Sequence, residues 1–474
     1  MTPFIGFTPD IDPATPGAIV DCVNVVPSVK GMQAAKSLQA VPAAPNALPA
    51  ECIGSAIVRK LDDSRRVFAA TTTKQYELIS GVWTDVSRVG NYTGSVDSRV
   101  RYAQFGDVTI TSNGSEKLQA STSGAFADIA QAPAGQALCT ASGFVLTAGS
   151  SLAPDQWNCC DLFNYITWTP ASNNQAANGR LLDTPGAIRG LVTLGQDAVA
   201  YKERSMYLGR YIDPTIKWSW QLVPFNAGAL SQEAVIDIDG YHLFLGVDNF
   251  YLYDGSRPQP IADNQVREWF IANSDPNTRF RAVGMFDRTN RLAYWFFNGV
   301  GSTTRNIGLV YHVDKGRWGK VNYLVQSPVI FISPALTIDQ MTNVIDSYTL
   351  PFDSPFFLGG SATPSVFDNT NSLKSLSGVP GSTTITTGDL GNDGSYTRLT
   401  RVRPHFLRKP ATASFEHNVQ DESAGNYSVV GTSTYSADSG FDVLYEARWH
   451  RGTITCTGEM EIAGVSVEAT TKSL

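Results

Sequence analysis

Short runs of alternating apolar and polar residues, each closed by glycine, proline, asparagine or aspartate, fill most of the chain, and a helical period is nearly absent. That pattern predicts half-buried β-strands joined by tight turns, hence an all-β protein. From about residue 53 the runs fall into sets of four. Ile53–Val58, Arg66–Ala70, Gln75–Ile79 and Val82–Val86 make the first. Later sets open near Val100, Ala137, Ile188, Ala234 and Arg281, and the sixth closes on Trp318–Val321. A repeat of about 40 to 50 residues is the spacing of propeller blades. A small four-stranded sheet cannot bury both faces alone, whereas radial stacking of copies hides the faces and leaves only short edges. An aromatic residue recurs near the last strand of a set (Trp83, Phe126, Trp168, Trp218, Trp318). A β-sandwich accounts less well for so many strands in sequence order.

Two flanks break this rhythm. Residues 1–50 are rich in proline and alanine, so they read as an extended N-terminal arm with one strand, Ala18–Val26, ordered by a neighbour. Residues 51–384 hold the propeller of about six blades, its last segment decorated by Ser/Thr/Asn-rich stretches. From about 385 the runs lengthen (Thr397–Phe406, Thr412–Asn418, Gly440–Ala447, Gly452–Gly458, Met460–Glu468). Residues 385–474 therefore read as an antiparallel β-sandwich platform.

The chain has 474 residues and a net charge of −7, with 42% hydrophobic and 17% charged residues. It can bury a sizeable core, which excludes global disorder. The acidic balance without a basic block argues against sequence-specific DNA binding and anionic-membrane docking. No apolar run reaches transmembrane length, and Met1-Thr2-Pro3 does not open a secretion signal. Six scattered cysteines do not form a disulfide framework, and Cys159-Cys160 reads as two thiols rather than a vicinal disulfide.

Candidate chemistry is sparse. Asp62-Asp63, Asp10/Asp12 and Asp421-Glu422 are carboxylate pairs of the kind glycoside hydrolysis uses, but surface turns supply such pairs routinely. Asp389–Gly394 opens like a calcium loop and lacks the distal glutamate, so a polar hairpin turn is the better reading. No nucleophile elbow, phosphate loop or zinc motif is present. The chain is therefore expected to be non-enzymatic, with no catalytic, cofactor or metal residues. The densest basic stretch, Arg398–Lys409, places Arg401, Arg403 and His405 on one strand face and Val402 and Phe406 on the other. That stripe reads as a solvated or intersubunit ion-pairing face, or else as a phosphate-contacting one. Arg448-Trp449-His450-Arg451 reads similarly, with Trp449 inward, and Trp295-Phe296-Phe297 reads as core.

Several segments in order resemble the tail nozzle proteins of short-tailed bacteriophages, also called tail tubular or packaged-DNA stabilisation proteins. These are Phe7–Gly17, Asp21–Pro27, Lys30–Met32, Gly81–Arg88, Arg101–Asp107, Trp168–Pro170, Thr387–Asp389, Arg401–Pro404 and Arg448–Gly452. The resemblance implies a virion structural protein, made in the host bacterial cytoplasm and placed in the tail as a ring of six subunits. Such a ring would extend the DNA channel below the portal and adaptor, help retain the packaged genome and pass it at ejection. Its partners would be other copies of itself, adaptor and portal-side proteins, tail fibres or spikes, and double-stranded DNA held without sequence specificity. A carbohydrate-binding or glycan-cleaving β-propeller tail component is the alternative, and lacks the Asp boxes and clustered acid pair it would need.

Overall fold

The computed structural model describes residues 1–332, 362–422, 425–436 and 438–473. It is nearly all β; the described residues add one helix, Arg267–Asn273, and two 3-10 turns. Six four-stranded antiparallel blades follow one another in sequence order. The first comprises Gly54–Arg59, Arg65–Ala70, Gln75–Ile79 and Val82–Asp85. The sixth comprises Val283–Asp287, Leu292–Asn298, Arg305–His312 and Arg317–Val321. The first strand of each blade lies innermost, beside the first strand of the next.

The segment expected to decorate the last blade supplies another sheet. Ser327–Ile332, Ala362–Phe367 and Leu373–Gly378 pair in order, and Ser37–Ala40 from the chain start completes the edge. Its inner strand packs between those of the sixth and first blades and closes the circle. The Ser55 and Ser327 hydroxyls meet across that joint at 2.8 Å.

Aromatic pairs fill the joints between blades. Phe68 stacks on Tyr102 at 5.1 Å, Phe144 meets Trp218 edge-on at 5.6 Å, Tyr201 meets Phe244 at 5.1 Å, and Phe250 meets Trp295 at 5.0 Å. Large flat side chains suit a wedge between twisted sheets, because two rings bury much area with few rotatable bonds. Trp295, Phe296 and Phe297 are fully buried.

The C-terminal strands form two face-packed sheets. In one, Ser395–Arg408 lies between Phe441–Ala447 and Glu461–Ser473; in the other, Ser382–Thr387, Trp449–Thr457, Thr412–Gln420 and Ser428–Thr434 run side by side. The N-terminal stretch is built into both. Gly6–Phe7 and Ala18–Val23 extend the second sheet, and Thr2–Pro3 and Met32–Ala34 pair with Glu461–Ser473 of the first.

The strand expected over Ala18–Val26 is in fact two strands on different sheets. Asn24 adopts φ 55°, a left-handed conformation that its short polar side chain tolerates, and its Oδ1 accepts the Asn322 N–H at 3.0 Å. The chain then continues as Val25–Pro27, which pairs with Arg317–Val321 of the sixth blade and with Met32–Ala34. One sheet thus runs without interruption from the sixth blade into the sandwich.

Trp449 is a further correction. Strand alternation points His450 inward, 2% exposed, while Trp449 lies half-buried on the outer face and donates its indole N–H to Asp393 at 2.6 Å. The inner slot suits imidazole because both ring nitrogens of His450 find partners there.

Candidate functional site at the axial mouth

The inner strands of all blades start at the same end of the propeller axis, so residues just before them gather into one mouth. Arg99 and Arg101 precede or open the inner strand of the second blade, Gln136 that of the third and Arg189 that of the fourth. Glu233 and Arg281 sit in the 3-10 turns before the fifth and sixth. Together they line a cavity of about 550 Å³.

Its ion pairs are arranged in two tiers. Arg101 grips Glu233 through both carboxylate oxygens, at 2.7 and 2.9 Å, and so ties the second blade to the fifth across the axis. Burial works against the Glu233 charge, yet Arg101 and Arg99 outweigh it and hold its pKa below the ordinary value. Nearer the rim, Arg281 Nε donates to Asp97 at 2.6 Å. Arg99 differs from both. It is 7% exposed, and its guanidinium donates to the carbonyls of Ile53, Gln326 and Arg281 at 3.2 to 3.4 Å. Burial lowers its pKa, with Glu233 acting in the opposite direction.

Below the mouth a second cavity of about 230 Å³ continues along the axis. Gln232 lines it and reaches to the third blade, accepting from Leu138 N at 3.1 Å and donating to Leu138 O at 2.7 Å.

The basic stripe lies elsewhere, on the outer face of the sandwich. Arg401 meets Asp442 at 3.4 Å and Asp438 at 3.7 Å, Arg403 meets Glu468 at 2.8 Å, and His405 is exposed. Val402 and Phe406 point the other way, toward the core. Both arginines thus have carboxylate neighbours within their own chain.

The other candidates are scattered. Asp10 caps the helix Arg267–Asn273 through the Glu268 and Trp269 N–H groups, Asp62 and Asp63 occupy a hairpin turn, and Asp421-Glu422 lies exposed past the strand Thr412–Gln420. Asp389 pairs with Arg451 at 2.7 Å. Cys159 and Cys160 are free thiols that burial pushes up to about 12. Among the described residues no group of three or more His, Cys, Asp or Glu could hold a metal ion. The mouth arginines carry no sequence motif. Their one signal is positional, each falling at the start of a blade.

No protein-family model and no curated protein matches the sequence. Many solved structures are similar in fold, two of which follow. One is PorZ, a bacterial surface component of the type-IX secretion system of Porphyromonas gingivalis, with a TM-score of 0.37 and 10% identity over 74% of this chain. The chain spans 43% of PorZ's length. The other is YCF48 bound to a D1 peptide, with a TM-score of 0.32 and 11% identity, covering 72% of this chain and 97% of that one.

Proposed function

We propose that the protein is a structural, non-enzymatic subunit of a short-tailed bacteriophage tail nozzle. Copies would assemble as a ring, six by the resemblance, below the portal and adaptor, retain the packaged genome and pass it at ejection. The observation that supports this reading best is the continuous sheet joining the sixth blade to the sandwich. A propeller fused to a platform through backbone hydrogen bonds makes a stiff wedge of the kind a ring around a pressurised channel requires. In such a ring the duplex would pass between subunits, because Arg101–Glu233 joins the second blade to the fifth across the propeller's own axis.

Charge supports a conduit rather than a clamp. A channel that grips DNA uses many unpaired Lys and Arg contacts that release counterions. Here the net charge is −7, and Arg401 and Arg403 already face carboxylates of their own chain. Adaptor proteins and tail fibres or spikes would be the protein partners, and the virion tail the location. Electron microscopy of the purified chain, alone and mixed with adaptor, tests this. A ring with an open central channel is expected in at least one of the two samples; a monomer in both overturns the reading.

A further inference from the structure

The axial mouth carries more positive charge than its own carboxylates neutralise. Arg99, Arg101, Arg189 and Arg281 line it against Asp97 and Glu233, an excess of two positive charges in a chain that is acidic overall. The excess belongs to two identifiable residues. Arg101 and Arg281 are held by Glu233 and Asp97. Among the described residues buried Arg99 bonds carbonyl oxygens alone, and Arg189, with 45% of its side chain exposed, has Glu203 at 4.0 Å, the outer limit of an ion pair. A guanidinium desolvated without a carboxylate contact favours an anion beside it.

The rest of the lining narrows the anion's chemistry. Hydroxyls and amides dominate it, among them Ser95, Ser98, Ser115, Ser231 and Asn113. They match the ring hydroxyls of a sugar, while Leu230 and Phe280 are the main apolar contributors and offer little for peptide side chains. Phe280 is 40% exposed and carries the Arg281 guanidinium 5.8 Å from its ring centroid, which leaves its other side for the C–H face of a sugar ring. Asp97 and Glu233 would repel a dianion, and a planar guanidinium fork fits a carboxylate bidentately. We propose that the axial mouth of the propeller binds a carboxylate-bearing sugar, a hexuronic acid either free or at the end of an oligosaccharide, with Arg189 and Arg99 receiving the carboxylate. The proposal does not depend on the ring.

Isothermal titration of the full-length chain tests the proposal, using glucuronic and galacturonic acid and their trimers as probes. Galactose, inorganic phosphate and a glutamate-rich peptide are run beside them at one ionic strength. The uronates are expected to bind saturably and more weakly as salt rises, and galactose not to bind; the ratio of monomer to trimer affinity separates a free acid from a polysaccharide end. Arg189→Ala leaves both internal ion pairs intact and is expected to weaken uronate binding about tenfold, the usual scale for a lost charged hydrogen bond. Asp97→Asn is expected to strengthen it. The proposal is overturned if neither uronate saturates, if galactose, phosphate or peptide binds as tightly, or if Arg189→Ala binds like the wild type while its circular dichroism shows a folded chain.

Discussion

His417 Nε2 lies 2.9 Å from His450 Nδ1 in the sandwich core, with the two rings stacked 11° from parallel. His450 donates its Nε2–H to the Thr397 carbonyl at 2.8 Å, and burial lowers the pKa of both rings, which favours neutral imidazoles with His417 Nε2–H donating to His450 Nδ1.

That arrangement sets a pH dependence. Burial, reinforced by the neighbouring imidazole, pushes the His417 pKa down to about 4, and burial likewise brings His242 to about 4. Both values lie below the unfolded value, so stability is fully present above about pH 6.5 and is lost as the pH falls toward 4, where the unfolded chain binds protons the native one refuses. Unfolding free energies from urea titrations at pH 7.5 and pH 5 should differ by about 4 kcal/mol, about half from each histidine. His417→Gln should flatten that acid limb, and an unchanged limb would remove the pair as its source.

Arg66 and Glu77 form a bidentate pair at 2.7 and 2.8 Å, nearly out of contact with solvent, and Arg66 also reaches the Ser121 and Gly124 carbonyls of the second blade. Arg66→Met should cost about 3 to 5 kcal/mol by stranding a buried carboxylate. Thermal unfolding of Arg66→Met with Glu77→Leu should recover part of that loss, since the double variant leaves no charge behind.

The N-terminal residues are core, not tether. Phe7 is fully buried, meets Trp269 edge-on at 5.2 Å and lies under the Lys320 ammonium. Phe7→Ala should lower stability by about 3 to 5 kcal/mol, with increased proteolysis in both the sandwich and the sixth blade. Asp10→Ala, which removes the helix cap, should cost about 1 kcal/mol.

Close approach at the axis is testable through Gly54. A Cβ there would fall 2.1 Å from the Val100 carbonyl oxygen, between the inner strands of the first two blades. Gly54→Ala should destabilise by about 3 kcal/mol, because backbone has to move to admit the methyl. Gly381, with nothing within 4 Å, is the control and should tolerate alanine.

The six blades were legible because each alternates apolar and polar residues over strands the sequence bounds with Gly, Asn or Asp turns. The strand Ser428–Thr434 was not, since it is an exposed edge of mostly small polar residues with no buried face to pattern it. The sheet completed by Ser37–Ala40 was also hidden, because pairing between residues more than three hundred positions apart leaves no local signature. At the mouth, Arg99, Arg189 and Arg281 come from three unrelated stretches. Only knowing that inner strands start at one end brings them together.

The strand Ser37–Ala40 leaves the ribosome long before Leu373–Gly378, its partner in the closing sheet. Met32–Ala34 waits longer still, for Glu461–Ser473 more than four hundred residues further on. Successive blades can form as they emerge, but the circle cannot lock before Leu373–Gly378 has been made, nor the platform seat before Glu461–Ser473. Nascent chains cut short before those partners would carry unpaired edges, so a truncated product is more prone to aggregate than to persist as a half-built copy.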